Sequence, residues 1–325
     1  MLTRTLGAHT VGGLGMGCWA IGGPFTRTGG LPMGWGDVDD AESIRAIHAA
    51  IDRGVTLFDT ANNYGAGHSE RVLGQALAER RDKVRIATKF GSVFDEETRQ
   101  HLDVDNEIDE AFIRDALEGS LRRLNTDYID LYQLHDGSYP VEKAPAVRET
   151  LETLVREGKI GAYGWSTDHP DRAEVFAPGA HCVSIQFSLN LFRRNPDMLA
   201  LCDRHGLAAI NKHPLASGFL TGKFKADTTF PENDLRHSLD LSEGRGALRL
   251  RQIDAIRDIL TAGGRTPAQG ALGWLWAVSD RTIPIPGFKS VKQVEDNAGA
   301  LAHGPLSAAQ VAELETILAQ FQDAA

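Results

Sequence analysis

Three side chains in the first third of the chain form a set that can move a proton. Asp59 closes a short apolar run, Tyr64 follows shortly after it, and Lys89 closes the next such run. A tyrosine normally titrates near pH ~10, and a neighbouring cation favours the phenolate, so Lys89 is expected to lower the pKa of Tyr64. Asp59 would keep that lysine charged and fix its position.

This set indicates proton exchange with a carbonyl oxygen. Tyr64 would be the general acid of a reduction and the general base of the reverse oxidation. The alternative is an ordinary Asp–Lys ion pair beside a half-buried tyrosine. The elements that carry the three residues decide between the two.

Length and composition limit the classes of protein that fit. The chain has 325 residues, of which 42% are hydrophobic and 24% charged, enough for a large core in one barrel or in two smaller domains. One domain over residues 1–325 is the simpler prediction. The net charge of -10 argues against a general nucleic-acid or anionic-membrane binder, although it leaves room for a local basic phosphate pocket.

The cysteine content and the hydropathy of the chain indicate its cellular compartment. Three cysteines, scattered at Cys18, Cys182 and Cys202, are too few for a disulfide framework or a zinc site, so no metal is expected. The first residues lack the apolar core of a signal peptide, and no later apolar run reaches membrane-spanning length. A cytoplasmic enzyme acting on a small molecule is predicted.

Short β-rich runs alternate with amphipathic stretches, a pattern typical of parallel strands joined by helices. The candidate strands are residues 15–21, 55–59, 85–89, 128–135, 161–166, 182–186, 207–211 and 282–285. Helical periodicity is clear over 40–53 and 109–124, and Gly54, Gly158 and Gly206 stand where left-handed helix caps would lie. Eight βα units predict an α/β fold of the (β/α)8 TIM-barrel type.

A barrel brings the first three residues together with a fourth. Catalytic side chains of this fold stand at the carboxyl ends of the strands, where Asp59, Lys89 and His135 end the second, third and fourth predicted strands. Tyr64 lies in the loop after the second. His135 could donate a hydrogen bond to the substrate carbonyl and steer it toward Tyr64, although a lone histidine is more often a satisfied rim residue.

The chain resembles the aldo-keto reductase superfamily nearly from end to end. The resemblance is carried by an ordered set of short motifs: Gly15-Met16-Gly17-Cys18-Trp19, Asp59-Thr60-Ala61, Tyr64-Gly65, Ser69-Glu70, Ala87-Thr88-Lys89, the strand ending at His135, Gly164-Trp165-Ser166, Ile185-Gln186, Pro214-Leu215-Ala216-Ser217-Gly218 and Ile285-Pro286-Gly287. It implies a catalytic tetrad of Asp59, Tyr64, Lys89 and His135, with NADPH across the barrel mouth. The chain looks closest to the bacterial branch that also resembles potassium-channel β subunits.

The segment after the eighth strand reads as a phosphate site. A glycine, a cation and a hydroxyl, at Gly287, Lys289 and Ser290, precede a predicted helix. The resemblance implies adenosine and 2′-phosphate contacts from Gly287, Lys289, Gln293, Asp296 and Asn297. Asp296 stands where the family commonly has a glutamate, and its shorter side chain is expected to loosen the adenosine contact slightly. Lys289 favours NADP(H) over NAD(H), because a nearby cation attracts the additional 2′-phosphate.

Other cofactor contacts are also implied by the resemblance. Ser166 and Gln186 occupy the positions that hold the nicotinamide amide, and Lys212 falls where many relatives have an aromatic residue stacked on that ring. The resemblance also implies pyrophosphate contacts from the backbone of Pro214, Leu215, Ala216 and Ser217 and from the side chain of Lys223. Cys18 and Trp19 are the remaining implied cofactor contacts. The glycine-rich run at 12–17 lacks the strand-to-helix context of a Rossmann fingerprint and indicates a hairpin and a strand entrance.

Two long loops, 22–35 and 221–245, are expected to shape the substrate site. Trp19, Tyr64 and His135 are the predicted substrate contacts, and Phe25, Trp35 and Phe94 are further candidates for lining a pocket. Trp274 and Trp276 fit a buried helix face better. The carbonyl compound itself is left open.

Two other functions stay open at this point, and a homo-oligomer is compatible with each. One is an NADPH-binding interaction module with little turnover. The other is a cofactor-free barrel lyase or isomerase that uses Lys89 as a Schiff base.

Overall fold

The computed structural model describes residues 2–104 and 107–321. Eight strands form one parallel sheet in chain order. They are β1 (Gly15–Gly17), β2 (Leu57–Asp59), β3 (Arg85–Phe90), β4 (Ile129–Leu134), β5 (Ile160–Ser166), β6 (Cys182–Ser188), β7 (Ala208–Lys212) and β8 (Thr282–Pro284). β1 and the end of β8 meet through a parallel bridge between Gly17 and Gly287, so the sheet curls into a barrel and the predicted fold class is confirmed.

Helices cover the outside of the barrel. They are α1 (Asp40–Asp52), α2 (His68–Leu77), α3 (Glu110–Leu124), α4 (Ala144–Arg156), α5 (Pro170–Phe176), α6 (Pro196–His205), α7 (Gly244–Thr261), α8 (Pro267–Val278), α9 (Val291–His303) and α10 (Ala308–Ala319). Asp39 and Asp109 cap the amino ends of α1 and α3, accepting bonds from backbone N–H groups. Gly54, Gly158 and Gly206 all have positive φ, as predicted for the ends of helices.

The inside of the barrel has an apolar layer and then a polar layer. The apolar layer packs against Leu6 and Val11 of an amino-terminal hairpin (Thr3–Leu6 and His9–Gly12), and its strand residues include Leu57, Ala87, Leu131 and Ile210. Side chains of a strand alternate between faces, so the residue two positions further on points inward again. Those residues are Asp59, Lys89, Gln133 and Lys212. The strands therefore end in a polar ring at the barrel mouth.

The first barrel strand is shorter than predicted. It ends at Gly17 instead of residue 21, and Ala20–Gly22 form a turn of 3₁₀-helix. Gly22 lies directly against the backbone of the Tyr64 loop, and a Cβ atom there would come within 2.9 Å of the Gly65 nitrogen. The chain leaves the sheet early because this close packing of two loops requires it.

Segments of two loops form a second sheet at the mouth. Its strands are Thr26–Arg27, Val93–Asp95 and Gln100–Leu102, from the loops after β1 and β3. Trp274 and Trp276 are buried in α8, as predicted. No helix in the described part of the chain has the length and apolar composition needed to cross a bilayer.

Candidate active site

Asp59 and Lys89 form a fully buried ion pair at the centre of the mouth. The Lys89 Nζ donates to Asp59 Oδ2 at 2.6 Å and to the Thr60 carbonyl at 2.7 Å. Burial by itself would lower the pKa of Lys89, but the adjacent Asp59 charge raises that pKa above its ordinary value. Lys89 is therefore a fixed ammonium ion.

The second carboxylate oxygen of Asp59 is held by two amides. Gln186 donates to Asp59 Oδ1 at 2.7 Å and Gln133 donates to it at 3.1 Å. Gln186 was expected at the mouth, whereas Gln133 was not predicted. Its signal was available, because it is a polar residue two positions before His135, on the same inward face of the strand. Asp59 is thus fixed from both sides.

Tyr64 reaches this pair from the loop after β2. Its hydroxyl lies 3.3 Å from the Lys89 Nζ, which is also 4.8 Å from the centre of the phenol ring. Burial raises the pKa of Tyr64, and Lys89 only partly offsets it, so the pKa lies above its ordinary value. The expected net lowering of this pKa is wrong, because the loss of water outweighs the nearby cation. Tyr64 holds its proton firmly in this state.

His135 stands beside Tyr64 at the end of β4. The two rings pack edge to face with centroids 5.6 Å apart, and the His135 backbone N–H donates to Phe90 O at 2.7 Å. Burial, with Lys89 and Lys212 nearby, lowers the pKa of His135 well below its usual range. Its buried Nδ1 has no hydrogen-bond partner among the described residues. The ring is a neutral imidazole next to the phenol.

Trp19 and Trp35 cover the open side of Tyr64. The Trp19 ring stacks on Tyr64 at a centroid distance of 5.6 Å and is fixed by its bond to Met33 O at 3.0 Å. Trp35 meets Trp19 edge-on at 5.4 Å. The structure thus brings Trp19 against Tyr64 and Trp35 against Trp19, and their contact with a substrate stays a prediction.

The other two aromatic candidates lie elsewhere. Phe25 lines a cavity of about 380 Å³ between the loops, whose lining includes none of the four proposed catalytic residues. Phe94 packs under the Arg123 guanidinium, 5.4 Å from its carbon. Phe94 therefore packs within the second, three-stranded sheet, against Arg123.

Ser166 and Lys212 occupy the far side of the mouth. The Ser166 hydroxyl lies 3.4 Å from Gln186 Oε1, and the Lys212 Nζ donates to that hydroxyl at 3.3 Å. Cys18 lies beneath the mouth, fully buried, with its N–H bonded to Asp59 O at 2.8 Å. The predicted nicotinamide contacts Ser166, Gln186 and Lys212 are thus brought together.

The predicted phosphate seat is engaged by the protein's own groups. Lys289 Nζ donates to the carbonyls of Trp35 at 2.8 Å and Asp37 at 3.3 Å, and the Val291 N–H donates to Glu42 at 2.9 Å. Lys289 therefore ties the end of β8 to the loop after β1.

The remaining predicted adenosine contacts, from Gly287 to Asn297, hold the end of β8 and α9 together. The Lys289 N–H donates to Gln293 Oε1 at 2.6 Å, and Asn297 donates to Gly287 O at 3.4 Å. Asp296 accepts from the Thr266 hydroxyl at 2.7 Å. Asp296 thereby joins α9 to the start of α8.

The segment after β7 is strained and cationic. His213, Ala216 and Ser217 all adopt positive φ, which non-glycine residues rarely do outside functional sites, while Pro214 and Leu215 lie between them. Arg236 donates to Ser217 O at 3.1 Å and to both oxygens of Asp234. Sequence reasoning missed Arg236, because it lies in a polar loop without periodicity.

Three cations gather over this segment. Partial burial, with Arg236 and Lys289 nearby, lowers the pKa of Lys223, and burial likewise lowers the pKa of Lys289. Asp234, whose two oxygens both accept from Arg236, and Asp37 are the carboxylates that act on these cations. Gly287 adds open space, since a Cβ atom there would meet only Gly17 O, at 3.9 Å. An excess of cations beside an open cradle fits a dinucleotide diphosphate.

Metal and thiol chemistry have no support in residues 2–104 and 107–321. No group of three His, Cys, Asp or Glu side chains could hold a metal there. All three cysteines are buried without disulfides, and burial raises the pKa of Cys182 to about 12 and of Cys202 to about 12. The thiols are therefore packing groups.

Comparisons with known proteins agree with this geometry. The family model described as "Aldo/keto reductase family" matches residues 14–319. The aldo-keto reductase yakc of Schizosaccharomyces pombe, whose name specifies NADP(+), is 34% identical over 92% of this chain and 86% of its own length. The aldo-keto reductase YhdN of Bacillus subtilis is 33% identical over 87% of this chain and 82% of its own.

Solved structures show the same architecture. A glycerol dehydrogenase from Gluconobacter oxydans superposes with a TM-score of 0.83 at 32% identity, covering 98% of this chain and 95% of that one. An aldo-keto reductase from Klebsiella pneumoniae in complex with NADPH gives a TM-score of 0.70 at 29% identity, with 98% and 95% coverage.

Proposed function

The chain belongs to the aldo/keto reductase family, and from this premise we propose that it is an NADPH-dependent reductase of aldehydes or ketones with Tyr64 as its general acid. One observation carries the proposal. A single buried ammonium, on Lys89, bonds both the Asp59 carboxylate and the Tyr64 hydroxyl. A protein that only binds the cofactor has no chemical need for a phenol hydrogen-bonded to a buried ammonium.

Lys89 acts on Tyr64 by charge, not by exchanging its own proton. When Tyr64 gives its proton to the substrate oxygen, a phenolate forms 3.3 Å from a fixed ammonium, which stabilises the new charge. The raised pKa of Tyr64 keeps the phenol protonated until that moment. Asp59 and its two amides hold the ammonium in place, so little reorganisation is needed during the reaction.

His135 and Trp19 position the carbonyl. A neutral imidazole can donate from one ring nitrogen and accept at the other, so His135 can donate a hydrogen bond to the substrate oxygen beside Tyr64. Trp19 stacks on the phenol and limits where an apolar substituent can lie. A hydrophobic or ring-shaped carbonyl compound is the substrate class that suits a site bounded by the Trp19 ring.

The cofactor, when bound, supplies the hydride that reaches the carbonyl carbon. Ser166 and Gln186 are proposed to hold its amide, and Lys223, Arg236 and Lys289 its phosphates. Lys289 donates to the carbonyls of Trp35 and Asp37, which leaves one of its three N–H groups for a 2′-phosphate. NADP(H) is favoured by this cation and by the name of the yeast relative.

The alternative role of Lys89 as a Schiff-base nucleophile is disfavoured. A Schiff base needs a neutral amine, whereas Asp59 raises the pKa of Lys89 and occupies its Nζ. Borohydride should therefore trap no carbonyl compound on Lys89.

The experiment is a parallel titration followed by turnover. Purified protein is titrated with NADPH and NADH, and NADPH consumption is then measured with a carbonyl panel that includes 4-nitrobenzaldehyde. Tighter binding of NADPH and turnover on at least one carbonyl are expected. Tight binding with negligible turnover over the whole panel would instead support an interaction module, and no binding would remove the proposal.

A further inference from the structure

Lys212 is a cation without a carboxylate partner at the far side of the barrel mouth. It ends β7 on the inward face, two residues beyond Ile210 of the apolar layer. Its Nζ bonds the neutral hydroxyl of Ser166 at 3.3 Å, and no carboxylate in the described part of the chain lies within 4.0 Å of it. Lys89, at the same level of the barrel, has one at 2.6 Å.

The nearest acidic influence on Lys212 is Asp168, which is already engaged. Asp168 accepts from the Ser188 N–H at 2.6 Å and from Arg193 at 3.0 Å. Burial lowers the pKa of Lys212, and Asp168 offsets this only in part. The charge of Lys212 is thus weakly compensated by the protein.

The position of Lys212 determines which part of a bound cofactor its charge acts on. The Ser166 hydroxyl bonds both Lys212 and Gln186. Ser166 and Gln186 are the proposed partners of the cofactor amide. The nicotinamide ring would then lie beside an ammonium instead of an aromatic face. The reduced ring is neutral, whereas the oxidised ring carries a positive charge. A fixed cation repels only the oxidised form.

We propose that Lys212 makes this protein discriminate between the two redox forms of its cofactor, binding NADPH in preference to NADP(+). The inference rests on the proposed function. The oxidised ring would be a cation next to Lys212, so Lys212 would weaken the binding of NADP(+). This would favour release of NADP(+) and its replacement by NADPH, although hydride transfer on the enzyme would become less favourable because positive charge develops beside Lys212. The two electrons leave with the hydride for the carbonyl carbon, and Tyr64 supplies the proton to the oxygen.

Direct binding measurements test this proposal without any turnover. Isothermal titration calorimetry gives the Kd of NADPH and of NADP(+) for the wild type, for Lys212→Met and for Lys212→Gln. We expect the wild type to bind NADPH about tenfold more tightly than NADP(+), a ratio set by like-charge repulsion in a partly wet site. Both variants should bring the ratio close to one, mainly by tightening NADP(+).

Lys83→Met is the matched control. Lys83 is exposed and precedes β3, at the opposite end of the barrel, so its loss removes the same charge and should leave the ratio as in the wild type. A ratio unchanged in both Lys212 variants, or equal tightening of both cofactor forms, would overturn the inference while leaving the proposed function intact. Failure of the wild type to bind either form would remove both.

Discussion

The two sides of the barrel mouth treat charge differently. On the side of β2 to β4, the Asp59–Lys89 pair is completed by the protein itself, with two amides on one carboxylate oxygen and a carbonyl on the ammonium. On the side of β5 to β8, Lys212 bonds one hydroxyl and Lys289 bonds two carbonyls. The first side balances its charges, and the second carries an excess of cations.

This difference separates the parts of the site by role. A buried ion pair stays in place only if its hydrogen bonds replace the lost water, and the paired side meets that condition. It can therefore stabilise a charge that appears during the reaction. The cationic side is left for a ligand to neutralise, as a phosphorylated dinucleotide would do.

The largest expected effect comes from removing one partner of the balanced side. Lys89→Met leaves the Asp59 carboxylate buried without its counter-ion, and breaking such a pair typically costs about 3–5 kcal/mol of unfolding free energy. Lys212→Met removes a cation that has no carboxylate partner in the described residues, so its unfolding free energy should change by less than about 1 kcal/mol. Urea unfolding of the two variants measures both values.

The opposite ranking of the two stability losses would show that the two sides of the mouth do not differ in charge balance. If Lys212→Met destabilised the fold as much as Lys89→Met, the far side would also be balanced by the protein. Activity is not needed for this test, so it is independent of the substrate.

A smaller effect is expected from the loop cation Arg236. Arg236→Gln removes its ion pair with Asp234 and its contact with Ser217 O, which shape the segment after β7. Loss of one charged hydrogen bond corresponds to about a tenfold weaker Kd for NADPH. The Michaelis constant for the carbonyl compound should change much less. Arg251→Gln, at an exposed position of α7, is the control and should keep wild-type binding.

The smallest expected effect is a flat pH profile. Burial lowers the pKa of His135, of His101 and, to about 4, of His213, so these histidines titrate below the ordinary value of ~6.5. The profile of kcat/KM for reduction should therefore show no histidine inflection at pH ~6.5 or above. An inflection near pH ~6.5 that disappears in His135→Asn would show that this imidazole titrates in the working range.

The lowered pKa of His135 in the folded state also determines how the stability of the fold changes with pH. Because the folded-state pKa of His135 is depressed, the unfolded chain binds the proton more readily. The contribution of this group is present above pH ~6.5 and is lost as the pH falls below it. Replacing His135 by Asn should reduce that acid dependence.

Local sequence signals were sufficient for much of the fold and for part of the site. Strand ends at Asp59, Lys89 and His135 follow from apolar runs and from the fold rule for barrels, and Gly54 and its counterparts mark helix ends. Contacts between distant loops were not predictable in this way. The early end of β1 depends on Gly22 packing on the Tyr64 loop, and Arg236 depends on Asp234 and Ser217.

Electrostatic balance was harder still to predict. The spacing of Tyr64 and Lys89 predicts their contact but not the net pKa shift, because the shift depends on how much water the fold removes. The isolation of Lys212 also depends on which donors use Asp168 in three dimensions.

Tyr64 is proposed to deliver the proton under the control of Lys89. Tyr64→Phe keeps the ring that stacks on Trp19 and removes only the hydroxyl. Single-turnover oxidation of prebound NADPH by a saturating carbonyl compound should slow by about 10²–10⁴-fold, with an unchanged Kd for NADPH. A Tyr64→Phe protein that bound NADPH normally and turned over at the wild-type rate would contradict the account.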